Sequence, residues 1–558
     1  MKTLELRPDR SLLKPNFDGY KLSLEPIPIL RTDLTGPSQP NRIRPSENQY
    51  SHLHAQVFGL QNLLVRDAWA PGNCYFVDQN RRVCWVQYNS ITGRLMPVVE
   101  VFSIDMEESV EVYNSSLVFL SEKYALVADG RKVLHLVDTG DRRKGGEWIV
   151  KFTCTTPEWP GCCILEDGRF EIINGERQIH AIGAQVVQED GVFKTVLYWI
   201  KAVQKDGNQP WQFHSCRVLK GRGYPYYCAL ESKSKGLVIA SDKPFKFVTN
   251  LDDEPVEVPM EQEATPDENS CPVKVLFSWT QTTEDITIKI PKLDDVEYHV
   301  SNHNLKLKVL SGETTIIDGE SWFAGIDADL TSWTNESGEI QITLFKANPG
   351  LMWPLLFPGA PEETGNRGEQ DMPPASNLTS QLEECDFGVA GDETEYTIER
   401  LDDTSMETSH KVFLGGNAPL FRVMLRPGFP DALALRYDVD ACLWLQQSGE
   451  DWSMRHEGTL HAFGYVQASK QQRKFMSCSP DVNYAVICEA QRHVFIYKGS
   501  YNNAGGLRNR NGPQVSIGQQ KLVSLEGSSE ILGICCENDY TILLLETEIL
   551  VLQLCIEE

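Results

Sequence analysis

The sequence lacks the spacings that mark the common catalytic folds. It has no phosphate loop of the form G-x-x-x-x-G-K-S/T, no G-x-G-x-x-G after a strand, no G-x-S-x-G elbow and no H-E-x-x-H helix. Nucleotide, hydrolase and zinc-protease chemistry built on those motifs is therefore excluded. No apolar run approaches the roughly 18 residues that a membrane-spanning helix needs. The opening MKTLELRPDRSLLKPNFDG carries charges throughout and no apolar core, so neither a secretory signal nor a transit peptide is expected. Bases are scarce: 52 Lys and Arg stand against 78 Asp and Glu, a formal net charge of −26. Such a field repels phosphate backbones and anionic lipid, so the expected partners are protein surfaces, with no direct nucleic acid and no membrane.

The 15 cysteines make no C-x-x-C pair. Cys162-Cys163 and Cys535-Cys536 are adjacent, and adjacent strand residues point to opposite faces, which suits zinc poorly. Without an export signal the thiols are expected to stay reduced, and the sequons at Asn114, Asn335 and Asn377 to carry no glycan. His52-Leu-His54 would set two imidazoles on one strand face but lacks a matching ligand set. Asp327-Ala-Asp329 and Asp438-Val-Asp440 fall at expected turns, where Asp serves the backbone. No metal, no cofactor and no enzyme activity are expected.

What is present is a repeat. An apolar run, a polar turn and a second apolar run recur at Cys74–Tyr88, Tyr124–Asp138, Gly236–Val248, Ala432–Leu445, Tyr484–Tyr497 and Tyr540–Leu554, with a longer version across Thr195–Leu219. Each reads as a β-hairpin. Neighbouring copies are spaced like four-stranded propeller blades, and a hairpin alone cannot bury its faces. Four copies precede residue 250 and three follow 430, so the expectation is an all-β chain: a seven-bladed β-propeller split by an insertion. No helical heptads are visible, and a monomer is expected.

Composition divides the chain. Residues 1–250 are read as about four blades plus an N-terminal strand, and 410–558 as about three. Residues 251–271 form an acidic linker; eight acids and no base occur in 251–270. Residues 360–409 read as a second flexible acidic linker, with a helical turn conceivable at 380–386. Between them, 272–359 alternates with period two: Ile286, Ile288 and Ile290, then Leu305, Leu307 and Val309, then Ile340, Ile342 and Leu344. Roughly seven short antiparallel strands in one β-sandwich follow from that pattern.

The insert also carries a resemblance. Phe277-Ser-Trp279-Thr-Gln281 and the residues to Ile288 resemble the opening of a CS domain, the fold shared by NudC proteins and several chaperone cofactors. The L-x-L at Leu305, the T-S-W of Thr331 to Trp333, the strand from Gly338 and Met352-Trp353-Pro354 follow in order. FDGYKLSLEPIPI from Phe17, LRYDVDACLW and GYVQASKQQRKF from Gly464 extend the resemblance to a propeller-bearing branch of the NudC family. That resemblance implies a co-chaperone or adaptor for selected client proteins, alongside heat-shock protein 90 and with a DEAH-box RNA helicase as partner, in the cytoplasm and also the nucleus. A dedicated binding partner or inhibitor of one enzyme is the alternative, and a propeller hydrolase with loop-built residues a remote one.

Trp279, Gln281, Trp333 and Trp353 are the candidate protein-binding residues. Two readings stand: large aromatics that hold a small sandwich together, or an exposed aromatic belt that anchors a partner. Lys289, Lys306 and Lys308 mark polar faces that are either solvated or turned to an acidic partner.

Overall fold

Gly236–Ser241 shows why the repeat unit is so apolar. All six residues are buried. Leu237 and Ile239 enter one hydrophobic core, Val238 and Ala240 the next. A strand sandwiched between two neighbouring sheets has no solvent face, so the usual alternation collapses into a continuous apolar run. Tyr484–Glu489 behaves the same way, with Ala485 and Ile487 in one core and Val486 and Cys488 in another.

The structure is a computed structural model. It describes residues 1–248 and 395–554 apart from 105–111, 156–161, 206, 208, 448–450, 471, 501–514 and 526–528; within 278–356 it describes seven strands and a few flanking residues. The expected linker 251–271, residues 360–394 of the second linker and the helical turn at 380–386 lie outside the described residues. The chain divides into two units, Met1–Glu257 with Asp392–Glu558, and Val258–Gly391.

The described residues of the first unit form seven sheets. Their innermost strands are, in chain order, Val65–Arg66, Ser116–Phe119, Ile164–Ile173, Pro225–Leu230, Phe421–Val423, Arg473–Cys478 and Ile531–Cys536. Seven cores join the first sheet to the second, the second to the third and so on around to the seventh and the first. Sheets sharing cores in a closed cycle are a β-propeller. Adjacent cysteines serve this arrangement: Cys535 packs between the seventh and first sheets, Cys536 between the sixth and seventh. The cysteines among the described residues form no disulfide.

The circle is closed by the chain start. Ile29–Asp33 pairs antiparallel with Glu548–Leu552 and supplies the outer strand of the seventh sheet. Earlier residues run along the outer edges of three preceding sheets. Lys2–Thr3 lies parallel to the outer strand of the fourth, the Asp9 amide donates to His456 Nδ1 of the fifth at 3.1 Å, and Phe17–Ser23 lies parallel to Ser516–Ser524 of the sixth.

Three expectations are corrected. Gly236–Val248 is not a hairpin: Phe245–Val248 leaves to pair with Gln212–Gly221 at the edge of the third sheet. The true neighbour of Gly236–Ser241 is Tyr396–Asp402, from beyond the insertion. The insertion therefore interrupts the fourth sheet between its second and third strands, so the division is not four sheets and three. Tyr396–Asp402 also lies inside the stretch read as a linker. Its charges misled the reading, because they are buried in pairs: Arg400 with Glu231 at 2.8 Å and Lys411 with Glu399 at 3.0 Å.

The second unit has sheets of four and three strands, all antiparallel. One is ordered Ser278–Gln281, Asp285–Pro291, Glu339–Lys346, Ile326–Glu336; the other Val296–Val300, Asn304–Val309, Thr315–Ser321. Ile286 opposes Leu344 and Ile288 opposes Ile342. All four are buried. Asp327 sits in a strand, not a turn.

Every core of the propeller is drawn from the first unit. Replacing 258–391 by a short Gly/Ser linker is therefore expected to shift the propeller's thermal midpoint by no more than about 4 °C. A ring that loses cooperative unfolding with its insert removed would refute the separation.

Candidate protein-binding site

In the insert, Trp279 and Trp353 are buried, at 0% and 2% exposure. Among the described residues they join Ile286, Ile288, Ile326, Ile342, Leu344 and Leu356 as its buried hydrophobic residues. An exposed belt built on these two indoles is corrected: neither ring reaches the surface, because a sandwich this small needs its largest side chains for its core. Trp333 lies in Ile326–Glu336 opposite Ile342. Its side chain is outside the described residues.

Gln281 is a clamp. Its Oε1 accepts from the Trp353 amide at 2.7 Å, and its Nε2 donates to the Trp353 carbonyl at 2.7 Å. The side-chain amide thus imitates one more strand and pins the segment after Lys346 back onto Ser278–Gln281. The buried Lys346 ammonium completes the site, donating to Gln281 Oε1 and the Thr282 carbonyl, each at 2.8 Å. Thr282 Oγ1 accepts from the Glu284 and Asp285 amides and donates to Asp285 Oδ1 at 2.8 Å, which explains the T-x-E-D turn. Gln281→Ala is expected to cost the insert about 1–3 kcal/mol, since it leaves a buried ammonium and two backbone groups short of partners. Hydrogen exchange of Ser278–Gln281 and Glu339–Lys346 measures it, and unchanged protection would refute the clamp.

In the propeller, the innermost strands surround a channel of about 480 Å³. They run in one sense, so elements before them lie at one mouth and elements after them at the other. The helix α1, His52–Leu60, precedes the first of them and crosses its mouth, touching Val192–Gln204 of the third sheet and Arg473–Cys478 of the sixth. Gln56 Nε2 donates to Tyr226 at 2.9 Å. The loop 424–431 lies at the opposite mouth, held by Arg66 Nη1 on the Met424 carbonyl at 3.2 Å and Arg169 Nη1 on the Gly428 carbonyl at 3.1 Å.

Several of the charged groups that line the channel are paired with one another. Arg422 meets Glu166 at 3.1 Å and Asp431 at 3.9 Å; Arg66 meets Glu537 at 2.9 Å. Burial pushes the Glu166 carboxyl above its ordinary range, with Arg422 only partly offsetting it, and Asp431 is raised for the same reason. Burial also opposes the Arg422 charge, but Glu166, Asp431 and Asp167 outweigh it and hold the guanidinium above its usual value. These groups neutralise one another. Arg422 and Glu166 stand 256 positions apart, and only ring closure makes them neighbours.

The expected His52-Leu-His54 face is corrected: these residues open α1, where positions two apart diverge. His54 is buried with Nδ1 2.8 Å from Ser51 Oγ, and burial lowers its pKa. Asp440 Oδ1 accepts from the Ala462 amide at 2.6 Å, a backbone role. The Asn114 side chain is buried, accepting from the Ile43 amide at 2.6 Å and donating to Gln61 at 2.8 Å. Among the described residues no group of three His, Cys, Asp or Glu side chains is placed to hold a metal.

A family model for the CS domain matches residues 275–346. The folded insert extends beyond that match, since Trp353 and Leu356 are buried. NudC domain-containing protein 1 of Mus musculus is 30% identical over 96% of this chain and 96% of its own. The chain belongs to the NudC domain-containing protein 1 family. The Xenopus laevis member is 29% identical over the same shares of both chains. The nuclear movement protein nudC of Dictyostelium discoideum is 32% identical over 92 residues, 15% of this chain and 53% of its own. Among solved structures, the β-propeller domain of Myceliophteria thermophila Cps50 (Swd1) covers 89% of this chain and 97% of its own at 10% identity, with a TM-score of 0.34. Membership of the NudC domain-containing protein 1 family and the CS match point to a chaperone-like role for this chain.

Proposed function

We propose that this chain is a non-enzymatic co-chaperone or adaptor of the cytoplasm and nucleus, whose propeller and CS sandwich each bind protein. The single observation that carries this reading is kinship to NudC domain-containing protein 1 over nearly the whole chain, CS module included. The matched charges of the channel favour a scaffold over a reaction centre. Selected clients, heat-shock protein 90 and a DEAH-box RNA helicase are the proposed partners. Since Trp279 and Trp353 are spent on the core of the insert, its binding surface is proposed to lie on the outward strand faces, where Lys289 is exposed.

The test is aggregation of a heat-labile model enzyme, followed by light scattering with and without the purified chain. Full-length protein is expected to suppress scattering, and the version lacking 258–391 to do so less. Direct titration with heat-shock protein 90 decides that partner separately. Scattering unchanged at excess full-length chain would sink the chaperone reading.

A further inference from the structure

The segment 461–474, HAFGYVQASKQQRK, contains no acid in a chain whose acids outnumber its bases by 78 to 52. Its described residues hold the helix α2, Phe463–Ala468, the turn that follows it and the first two residues of the strand Arg473–Cys478. Phe463 is buried and anchors the helix, whereas Tyr465 is 56% exposed. The Tyr465 amide donates to the Val439 carbonyl at 3.0 Å, which brings in the tip of the neighbouring hairpin, and Val439 is 47% exposed. Gly464 lies so close to that hairpin that an added Cβ would stand 2.4 Å from the Asp440 carbonyl oxygen and 3.1 Å from Arg436 Cγ. Helix and hairpin are thus one continuous surface.

Three cations lie on these two elements or just after them in the chain. Arg436 Nε donates to the Asp438 carbonyl at 2.9 Å. Arg473 Nη1 donates to the Gln467 and Lys470 carbonyls, each at 3.2 Å. Lys470 Nζ donates to Ser469 Oγ at 3.1 Å and lies 4.7 Å from the Phe495 ring centroid. Among the described residues none of the three has a carboxylate within ion-pair distance, although Arg42, Arg66, Arg142, Arg400 and Arg422 all do. Carbonyl contacts hold the two guanidinium groups in place, and among the described residues no carboxylate pairs with them, that of Asp438 on the exposed hairpin tip included.

We propose that this surface docks an acidic segment of a partner protein, with an aliphatic side chain seated against Tyr465 and Val439 and carboxylates on Arg436, Lys470 and Arg473. An aromatic anchor ringed by oriented cations is the composition of a binding hot spot. The occupant is protein and not nucleic acid because three cations neutralise too few phosphates to overcome the repulsion of a chain with net charge −26. The inference deepens the adaptor reading and rests on it.

The test is fluorescence anisotropy with the full-length chain and a fluorescein-labelled synthetic peptide of Asp and Glu carrying two Leu. Binding is expected, weakening as salt rises. Tyr465→Ala and the pair Lys470→Glu with Arg473→Glu are each expected to lower affinity at least about tenfold, and Val439→Ser to lower it less. Equal thermal midpoints establish that the variants are folded, and the charge-reversed pair carries the decision should Tyr465→Ala lower the midpoint. Affinity untouched by charge reversal would overturn the proposal, as would polyuridine RNA binding this surface more tightly than the peptide. Light scattering separates the two readings: if the charge-reversed chain loses the peptide yet still suppresses aggregation, the adaptor stands without this site as its client surface. If the peptide binds the surface but the wild type suppresses nothing, the chaperone reading alone falls.

Discussion

Arg142→Ala will destabilise the propeller by about 3–5 kcal/mol, the usual loss when one partner of a buried ion pair is removed. Arg142 Nε donates to Asp67 Oδ2 at 2.6 Å, and the two side chains are 1% and 0% exposed. The guanidinium is fully used: Nη1 reaches Thr139 Oγ1 at 2.9 Å and Nη2 reaches the Ser121 carbonyl at 3.0 Å. Its Cζ lies 4.4 Å from the Phe119 ring centroid. Asp67 in turn receives the Trp69 and Ala70 amides. One cluster therefore ties the loop after the innermost strand of the first sheet to two loops of the second. Truncating Arg142 strands a carboxylate where water cannot reach it. Asp67→Ala should cost a similar amount, and the double variant clearly less than the sum, because the second change removes a charge already orphaned. Chemical denaturation of the three variants measures this. A loss under about 1 kcal/mol for either single change would show that the pair is dispensable.

The second large effect follows from how the ring closes. A chain beginning at residue 34 loses the outer strand of the seventh sheet and the edge strands of the fourth and sixth. The ladder with Glu548–Leu552 pairs five residues. At about 0.5–1.5 kcal/mol per hydrogen bond this alone is several kcal/mol, from a total that is ordinarily about 5–15. Ile29, packed against the core between the sixth and seventh sheets, adds to the loss. The truncated chain should melt well below the full chain, and amides of Glu548–Gln553 should exchange first. Removing only residues 1–15 spares that ladder and should cost less. An unchanged midpoint for the longer truncation would mean that the ring does not depend on this closure.

The hairpins at Cys74–Tyr88, Tyr124–Asp138 and Tyr540–Leu554 were legible because a tight turn between apolar runs leaves one way to pair. Gly236–Val248 carried the same pattern and paired elsewhere, because apolar character says that a strand is buried and not which strand buries it. Tyr396–Asp402 was hidden by its charges, since Arg400 finds Glu231 just past the end of Pro225–Leu230 and Glu399 finds Lys411 on the neighbouring strand. In the insert, Trp279 and Trp353 were visible as motif residues, but their depth was not. Gln281 reads as an ordinary polar residue until Trp353, 72 positions later, is folded back against it.

The sequence by itself determined the all-β character, the alternating insert, the acidic surface and the family. These depend on composition, local periodicity and the order of short motifs, all of which survive in one dimension. Tertiary structure alone decided which strands share a sheet, that the chain start closes the ring, that the Arg422 charge is matched in the channel, and that Arg436, Lys470 and Arg473 have no carboxylate partner among the described residues. Those outcomes turn on groups far apart along the chain, and electrostatic and packing energies depend on distance in space.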